Sequence, residues 1–508
     1  MRTSVRAVQA LGLLAGFYLI ALGALALLVG FDVFVLEHLG SSSSYGALKL
    51  VGLSVLVAVP LIRGVFLVRR PKDVPPPGIS VSEQQQPELW ERVRALAGAV
   101  GTRAPDEIRM IPAVNAAVSE NPRLLGLIPG HRRMLIGVPL LLGLTEPQLD
   151  AVLAHELGHY SNRDTRLAGI TVRGRQSLFT VVQHAKAAGR GLTAALFAAY
   201  ANLYLRVSES VGRRQELAAD LAAARIAGRD HAAGALRQVP ALDAAYDYYL
   251  EHYASLGWDA GFLPLAEEFY GGFRSMLSSP KRQRELDGIR NDLPVRETTP
   301  YDSHPPMRER VAALEALPAD GRTVTGAERP ASALVRDVDL LFAAVAVTAI
   351  SPKAAGKRPV GWDELAASAG RAGLLTASTA LTDAVHFVWG RPLNSLTDLL
   401  DGIDADQLDV IAARLPRTKA AEGATGDAAR RFARTAARDA IRPLVQLELL
   451  DSGRARFVHS WDQPTHLHFT DPALGPALTA ALDALTATPP TTTPLRTLLN
   501  PTSLRKDH

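Results

Sequence analysis

The chain has 508 residues, more than one ordinary domain holds. It contains no cysteine, which excludes disulfide bonds and thiolate ligands, so any metal site must use His, Asp or Glu. The net charge of +4 arises from 55 basic and 51 acidic side chains. This balance, without a basic stripe, argues against a nucleic-acid partner.

Two apolar runs near the N-terminus predict membrane helices. Residues 7–31 include no charged side chain, and this run is long enough to cross a bilayer core of about 30 Å as a helix. A second apolar run covers residues 46–68. We therefore expect a transmembrane hairpin at residues 1–70, with helices at about 8–31 and 46–68. A cleaved signal peptide is the alternative for the first run, and a helix buried in protein is the alternative for the second.

The basic residues around the hairpin predict its orientation. Arg2 and Arg6 precede the first run, and Arg69, Arg70 and Lys72 follow the second. Positively charged flanks remain on the cytoplasmic side of a membrane. We therefore expect a multi-pass protein of the plasma membrane in which everything after the hairpin faces the cytoplasm.

Composition divides the remainder of the chain. Residues 71–87 are proline-rich and polar and predict a linker, and residues 88–318 form the main folded domain. A helical region of unknown role is expected at 333–486, followed by a disordered tail at 487–508. The apolar segment 191–205 is short for a membrane span, so a packed or interfacial helix is expected there, with a third membrane helix as the alternative.

The first part of the main domain combines strands and a helix. The segments "EIRMI", "VNAAV" and "RMLIGVPLLLGL" are typical of strands. A helix is then predicted to start at Thr145, because Thr is a good N-cap, Pro147 fits the first turn, and Gln148 occupies the capping-box position. This helix leads into the motif "HELGH".

The motif places two histidines one helical turn apart. Residues i and i+4 share a helix face, so His155 and His159 can direct two imidazoles at one ion. Glu156 lies about 100° around the helix and can reach a water molecule at that ion without ligating it. A carboxylate there can take the proton of the attacking water and pass it to the leaving amine of a peptide. The alternative is two surface histidines on an ordinary amphipathic helix.

A third ligand is expected downstream. A catalytic zinc usually has three protein ligands and one open position. The alanine-rich helix "RRQELAADLAAARIAG" carries Glu216 and Asp220 four residues apart. Glu216 can be the third ligand, and Asp220 can accept the free N–H of a ligand histidine. Two solvated acids are the alternative, and the pairing with "HELGH" favours the metal site.

These motifs resemble the M48 metallopeptidases, the group of the membrane heat-shock protease HtpX and the Ste24 CAAX-processing protease. The resemblance spans residues 81–317 and includes "TEPQLDAVLAHELGHYSNRD" and "RRQELAAD". It matches Asp164 to an acid just beyond the second ligand, and it matches "SHPPMRER", with His304, to a His-Pro motif followed by an arginine. It also places Asn115 and Ala116 of "VNAAV" along the substrate cleft. Ala117 follows where the family often has an aromatic residue, which leaves the shape of the substrate pocket open.

The resemblance implies a zincin-like α+β fold that is mainly helical with a small β-sheet. It implies a membrane-bound zinc metalloendopeptidase with one Zn²⁺ per chain, peptide or protein substrates that include membrane proteins, and contact with the lipid bilayer. A role in membrane-protein quality control is an analogy with the family. His304 is expected either to donate a hydrogen bond to the oxyanion or to cap the following helix. A different class remains open: a non-catalytic zinc module that acts through the C-terminal helices.

Overall fold

The structure is a computed structural model of the chain. It describes residues 2–39, 45–46, 48–52, 54–55, 76–120, 130–160, 213, 215–293, 305–322, 328–416 and 422–500. The chain divides into two compact units. The first unit comprises Met1–Tyr246 and Gln283–Ala349, and the second comprises Asp247–Arg282 and Ile350–His508.

The first helix, α1 (Arg2–Leu39), contains the first apolar run. Near its end, the Ser54 hydroxyl donates a hydrogen bond of 2.8 Å to Asp32. No helix within the described residues is both long and apolar enough to cross a membrane. The two predicted membrane helices are thus not confirmed, and residues 56–68 of the second lie outside the described part of the chain.

A small sheet forms the centre of the first unit. Its strands are β1 (Ile79–Val81), β2 (Glu107–Ile111), β3 (Ala116–Glu120) and β4 (Arg132–Gly137). The spatial order is β1-β2-β4-β3, with β2 and β4 parallel and the outer pairs antiparallel. Strand residues alternate between the two faces of a sheet, and the inward positions are buried, among them Ile108, Met110, Met134 and Ile136. The order leaves β3 at one edge of the four described strands.

The prediction of a strand over "RMLIGVPLLLGL" is correct for the first part of this segment and wrong for the second. Its first part is β4, but the chain then turns at Gly137 into a short helix, α3 (Val138–Gly143). Pro139 in the first turn fits this helix because its missing N–H would have no partner there. The helix is buried almost all round, so its sequence shows neither the strand nor the helix period that would distinguish the two.

The helix that carries the motif is α4 (Glu146–Gly158). Its predicted start is confirmed: Thr145 is the N-cap, and the Gln148 side chain accepts a hydrogen bond of 3.1 Å from the Thr145 N–H. The helix packs against α2 (Pro87–Val100) and against β3. Leu149, Leu153 and Ala154 are fully buried along it. These contacts hold the motif against the edge strand of the sheet.

Several more helices complete the first unit. Residues 215–227 are helical and are called α5 here, and α6 (Arg229–Tyr249) follows after Gly228. Later come α8 (Pro280–Asn291), α9 (Met307–Glu315) and α10 (Val338–Ala349), with α7 (Ala266–Leu277) belonging to the second unit. Helix α10 packs against β1 through the face that buries Phe342 and Val345. The first unit therefore extends to Ala349, beyond the expected end of the peptidase domain at 318.

The second unit is helical with two small strand pairs. Its parallel pair is β5 (Phe262–Pro264) with β6 (Arg358–Val360), and its hairpin is β7 (Ala455–Val458) with β8 (His466–Phe469). Its C-terminal helices are α11 (Trp362–Trp389), α12 (Leu396–Asp404), α13 (Leu408–Ala412), α14 (Gly426–Asp451), α15 (Leu474–Leu485) and α16 (Thr493–Leu499). They share one apolar core that includes Leu381, Ile441 and Leu482.

The predicted disorder of residues 487–508 is wrong for the described part of that segment. Helix α16 is ordered there, with Leu495 and Leu498 buried in the same core. The Arg496 side chain also binds the carboxylates of Asp401 and Asp404. The Pro- and Thr-rich composition favoured disorder, although the segment also contains two leucines at helical spacing. Burial of these leucines and the ion pairs of Arg496 order the segment.

Candidate metal centre

The two histidines of α4 lie side by side at its C-terminal end. Their Nε2 atoms are 3.2 Å apart, and the ring of His155 is buried while that of His159 is partly accessible. His155, Glu156 and His159 offer ligand atoms that all lie within 4.8 Å of one another. The helix therefore brings together the three residues that the motif predicts.

Helix α5 supplies Glu216 to the same point. Its carboxylate oxygens lie 3.5 Å from Nε2 of His155 and 3.7 Å from Nε2 of His159. The approach of the two helices depends on Gly158 of the motif. A Cβ atom at Gly158 would lie 3.3 Å from Cα of Ala219, a tight contact with backbone. A glycine on α4 and an alanine on α5 thus allow the carboxylate to reach the histidines.

The spacing of these donor atoms fits a tetrahedral ion. Ligands at the usual zinc distances of about 2.0–2.1 Å stand roughly 3.3–3.4 Å apart in tetrahedral geometry. The three pairs among Nε2 of His155, Nε2 of His159 and the Glu216 carboxylate are separated by 3.2 to 3.7 Å. Two imidazoles and one carboxylate form a donor set typical of catalytic zinc, and a fourth position would be left for water or substrate.

A buried ionic chain lies behind His155. Its Nδ1 is 2.9 Å from the Asp220 carboxylate, which in turn accepts two hydrogen bonds from Arg310, at 2.9 and 2.7 Å. Asp220 and Arg310 are 2% and 7% exposed. When the Nδ1–H of a histidine donates to a carboxylate, the tautomer is fixed and Nε2 keeps its lone pair for a metal. Asp220 therefore orients His155 toward the cluster.

The charges around His155 determine its protonation in the metal-free protein. Burial lowers the pKa of His155, but hydrogen bonds to Asp220 and Glu216 outweigh this effect and raise the pKa to about 9. Burial raises the pKa of the Asp220 carboxyl. Hydrogen bonds with Arg310 and His155 outweigh this effect and hold that pKa below its usual range. Without metal, His155 is thus a cation between two carboxylates at neutral pH.

The other predicted site residues fall into two groups. Asn115 directly precedes β3 and is exposed, and Ala116 is the first residue of that strand. Strand β3 packs against α4, so Ala116 lies on a strand next to the helix that carries His155, and Asn115 lies directly before that strand. Asp164 and His304 lie outside the described residues.

Sequence reasoning missed the role of Arg310. The pattern "SHPPMRER" contains two arginines, and only the structure shows that Arg310 is buried against Asp220 while Arg308 bonds to Leu293 and Asp292. The available sequence signal was the position of Arg310 next to Val311 and four residues before Leu314, two apolar residues that are buried on α9.

The motif helix, the third carboxylate and the candidate metal centre together define a metallopeptidase of the H-E-x-x-H type. Residues 83–317 match the family model described as Peptidase family M48. This segment thus matches the M48 metallopeptidases, and these findings indicate a metalloendopeptidase with peptide or protein substrates. Members of this family are zinc-dependent in general.

Relatives in other organisms are distant. The chain is 24% identical over 254 residues to a protein named Protease HtpX homolog from Burkholderia multivorans, covering 48% of this chain and 78% of that relative. The values are the same for the homolog from Burkholderia lata. A crystal structure of S. mikatae Ste24p matches at 13% identity and a TM-score of 0.27, covering 61% of this chain and 67% of that one. At that score the structural likeness carries no weight.

We expect zinc binding to release about one proton per ion at pH 7, because ligation requires neutral imidazole. This proton comes from His155, whose pKa is about 9, so the contribution of His155 to the release should fall to half near pH 9. Titration calorimetry of metal-free protein in buffers of different ionisation enthalpy measures this number. Heats that do not depend on the buffer at pH 7 would contradict the assignment.

Proposed function

We propose that this protein is a membrane-bound zinc-dependent endopeptidase with its active site formed by His155, His159, Glu216 and Glu156. The supporting observation is the set of two imidazole nitrogens and one carboxylate group, with closest distances of 3.2 to 3.7 Å, that two helices bring together beside the carboxylate of the motif. A binding module would need the ligands alone. The intact glutamate next to them favours hydrolysis.

In this proposal His155, His159 and Glu216 hold the metal, and Glu156 moves the proton. A zinc ion held by these residues would supply the Lewis acid that polarises the attacking water and the scissile carbonyl. Glu156 accepts a proton from the water as it attacks the carbonyl carbon, and then donates that proton to the amine that leaves. Asp220 keeps His155 in the tautomer that ligates through Nε2, and Arg310 keeps Asp220 ionised.

Two further roles rest on the resemblance of the sequence to the family. We assign His304 as a hydrogen-bond donor to the oxyanion that develops on the substrate carbonyl. We assign Asp164 to the support of the metal ligands. Both residues lie outside the described part of the chain, and their roles follow from their positions in the motifs.

The substrate is proposed to bind as an added strand beside β3. This strand is at an edge of the described sheet and packs against the helix that carries His155. A peptide that pairs with an edge strand receives main-chain hydrogen bonds whatever its sequence. Asn115 and Ala116 would then contact the substrate backbone near the metal.

Attachment to the membrane is proposed from the N-terminal segment. Large apolar side chains of α1 are exposed, among them Leu19, Leu27 and Val29 at 67%, 76% and 62%. Exposed apolar surface of this extent is typical of a face that meets lipid or another protein. The basic residues before and after the two apolar runs favour a cytoplasmic peptidase domain, and a role in the quality control of membrane proteins is the analogy we draw from the family.

Glu156→Gln should abolish peptide hydrolysis while zinc remains bound. The amide has the shape of the carboxylate but cannot accept the proton, so a loss of about 10²-fold or more is expected. Casein digestion and zinc analysis of purified protein test this. The matched control is Glu91→Gln, the same chemical change at an exposed position of α2, which should leave activity unchanged. Wild-type hydrolysis by Glu156→Gln would rule out the proposed base.

The topology can be tested by single-cysteine labelling, which is unambiguous in a chain without native cysteine. A cysteine at Ser82, after the second apolar run, should be protected from an impermeant reagent added to intact cells. A cysteine at Ser42, between the two runs, should be labelled under the same conditions. Labelling of the Ser82 variant from outside would overturn the orientation, and recovery of the protein without membranes would overturn the anchor.

A further inference from the structure

The residue that follows the second histidine connects the metal helix to the edge strand. The hydroxyl of Tyr160 donates a hydrogen bond of 2.6 Å to the backbone carbonyl of Val118 in β3. The Tyr160 carbonyl accepts a hydrogen bond of 3.0 Å from Thr102, and its ring lies under the guanidinium of Arg132, 4.9 Å from the ring centroid. The backbone and side chain of Tyr160 together are thus held by partners on three segments.

The pairing of β3 shows which backbone groups face outward. In the register of β3 with β4, Asn115 stands opposite Gly137, and the Gly137 N–H donates to the Asn115 carbonyl at 2.8 Å. Residues of an antiparallel pair alternate between bonding to the partner strand and pointing away from it. Asn115 bonds toward β4, so Ala116 and Val118 direct their N–H and C=O groups to the opposite side. The carbonyl that Tyr160 holds is one of these outward groups.

Strand pairing is also blocked at the N-terminal end of β3. The Asn115 N–H bonds to the carbonyl of Ala113 at 2.8 Å, in a tight turn that ends strand geometry before Ala116. This turn lies directly on Gly137, where a Cβ atom would overlap the Ala113 carbonyl oxygen. The turn is therefore held against β4 and does not extend the edge.

We propose that Tyr160 is a specificity-determining residue that interrupts strand pairing by the substrate at Val118, so that only Ala116 pairs with the substrate on the N-terminal side of that position. Between the turn at Asn115 and the phenol at Val118, only Ala116 presents both an outward N–H and an outward carbonyl that no described group caps. A substrate strand would form its pair of main-chain hydrogen bonds there. Its next N–H, two residues along, would meet the carbonyl that already accepts from Tyr160. This inference rests on the proposed peptidase function and on binding beside β3.

The protein would therefore recognise the substrate backbone over a short segment only. Main-chain hydrogen bonds contribute binding energy without regard to side chains, and a longer paired strand would favour extended, unfolded segments. With one paired residue, most of the binding energy must come from groups near the scissile bond. Removal of the Tyr160 hydroxyl should lengthen the paired segment by one hydrogen bond.

The experiment scans a peptide substrate with single N-methyl groups, each of which removes one N–H donor. Binding is measured by fluorescence anisotropy in full-length Glu156→Gln protein with zinc, so that no peptide is cleaved. We expect N-methylation at one position to weaken binding by about 3- to 10-fold, the value of one hydrogen bond. After the further change Tyr160→Phe, a second position two residues away should become equally sensitive.

The matched control is Tyr253→Phe in the second unit, which removes another phenol that donates to a backbone carbonyl, here that of Trp461 at 3.1 Å. It should leave the N-methyl profile unchanged. An unaltered profile in folded, zinc-loaded Tyr160→Phe protein would overturn the proposal. So would two sensitive positions, two residues apart, with Tyr160 intact, an observation that requires no Tyr160 variant. Failure of the wild-type protein to cleave any peptide would instead count against the proposed function.

Discussion

The buried ion pair between Arg310 and Asp220 is the interaction on which the candidate metal centre depends. Two charges that are 7% and 2% exposed cannot be solvated by water, and each needs the other. Removal of one partner from such a pair typically costs about 3–5 kcal/mol, because the remaining charge is left unpaired. The Asp220 carboxylate then has one oxygen directed at His155, and the orientation of that imidazole follows.

This ionic chain joins segments that are far apart in sequence. His155 belongs to α4, Asp220 to α5 and Arg310 to α9, and about 150 residues separate the first from the last. The site also requires close contact between α4 and α5, which Gly158 and Ala219 provide. The alanine-rich composition of α5 is thus a packing requirement of the metal site as well as a helix-forming signal.

The candidate ligands could be selected from the sequence because metal binding requires a fixed spacing. Two histidines at i and i+4 on one helix, and two acids at i and i+4 on another, are visible without any knowledge of the fold. The partner of Asp220 could not be predicted in the same way. Its selection among the arginines of "SHPPMRER" depends on which helix face is buried, and that is a property of tertiary packing. The contact of Tyr160 with Val118 was equally invisible, since it joins a helix end to a strand edge 42 residues earlier.

Secondary structure could be predicted where the sequence has a clear local signal. It could not be predicted where a segment is buried on nearly all sides and therefore shows no hydrophobic period. The strand "EIRMI" and the N-cap at Thr145 are as expected, because each has a local signal. Helix α3 is buried on nearly all sides and therefore lacks a period that distinguishes it from a strand. Helix α16 is the opposite case: its composition suggests disorder, but burial of Leu495 and the ion pairs of Arg496 order it. In both segments tertiary contacts outweigh the local sequence signal.

X-ray absorption at the zinc edge of the purified protein tests the central claim most directly. We predict one zinc ion per chain, with four nitrogen and oxygen neighbours at about 2.0–2.2 Å and outer-shell scattering from two imidazoles. The Glu216→Ala variant should lose the ion or show an altered oxygen shell, because two histidines alone bind zinc weakly. Wild-type protein without stoichiometric zinc, or a zinc shell with fewer than two imidazoles, would contradict the assignment of His155, His159 and Glu216 as its ligands.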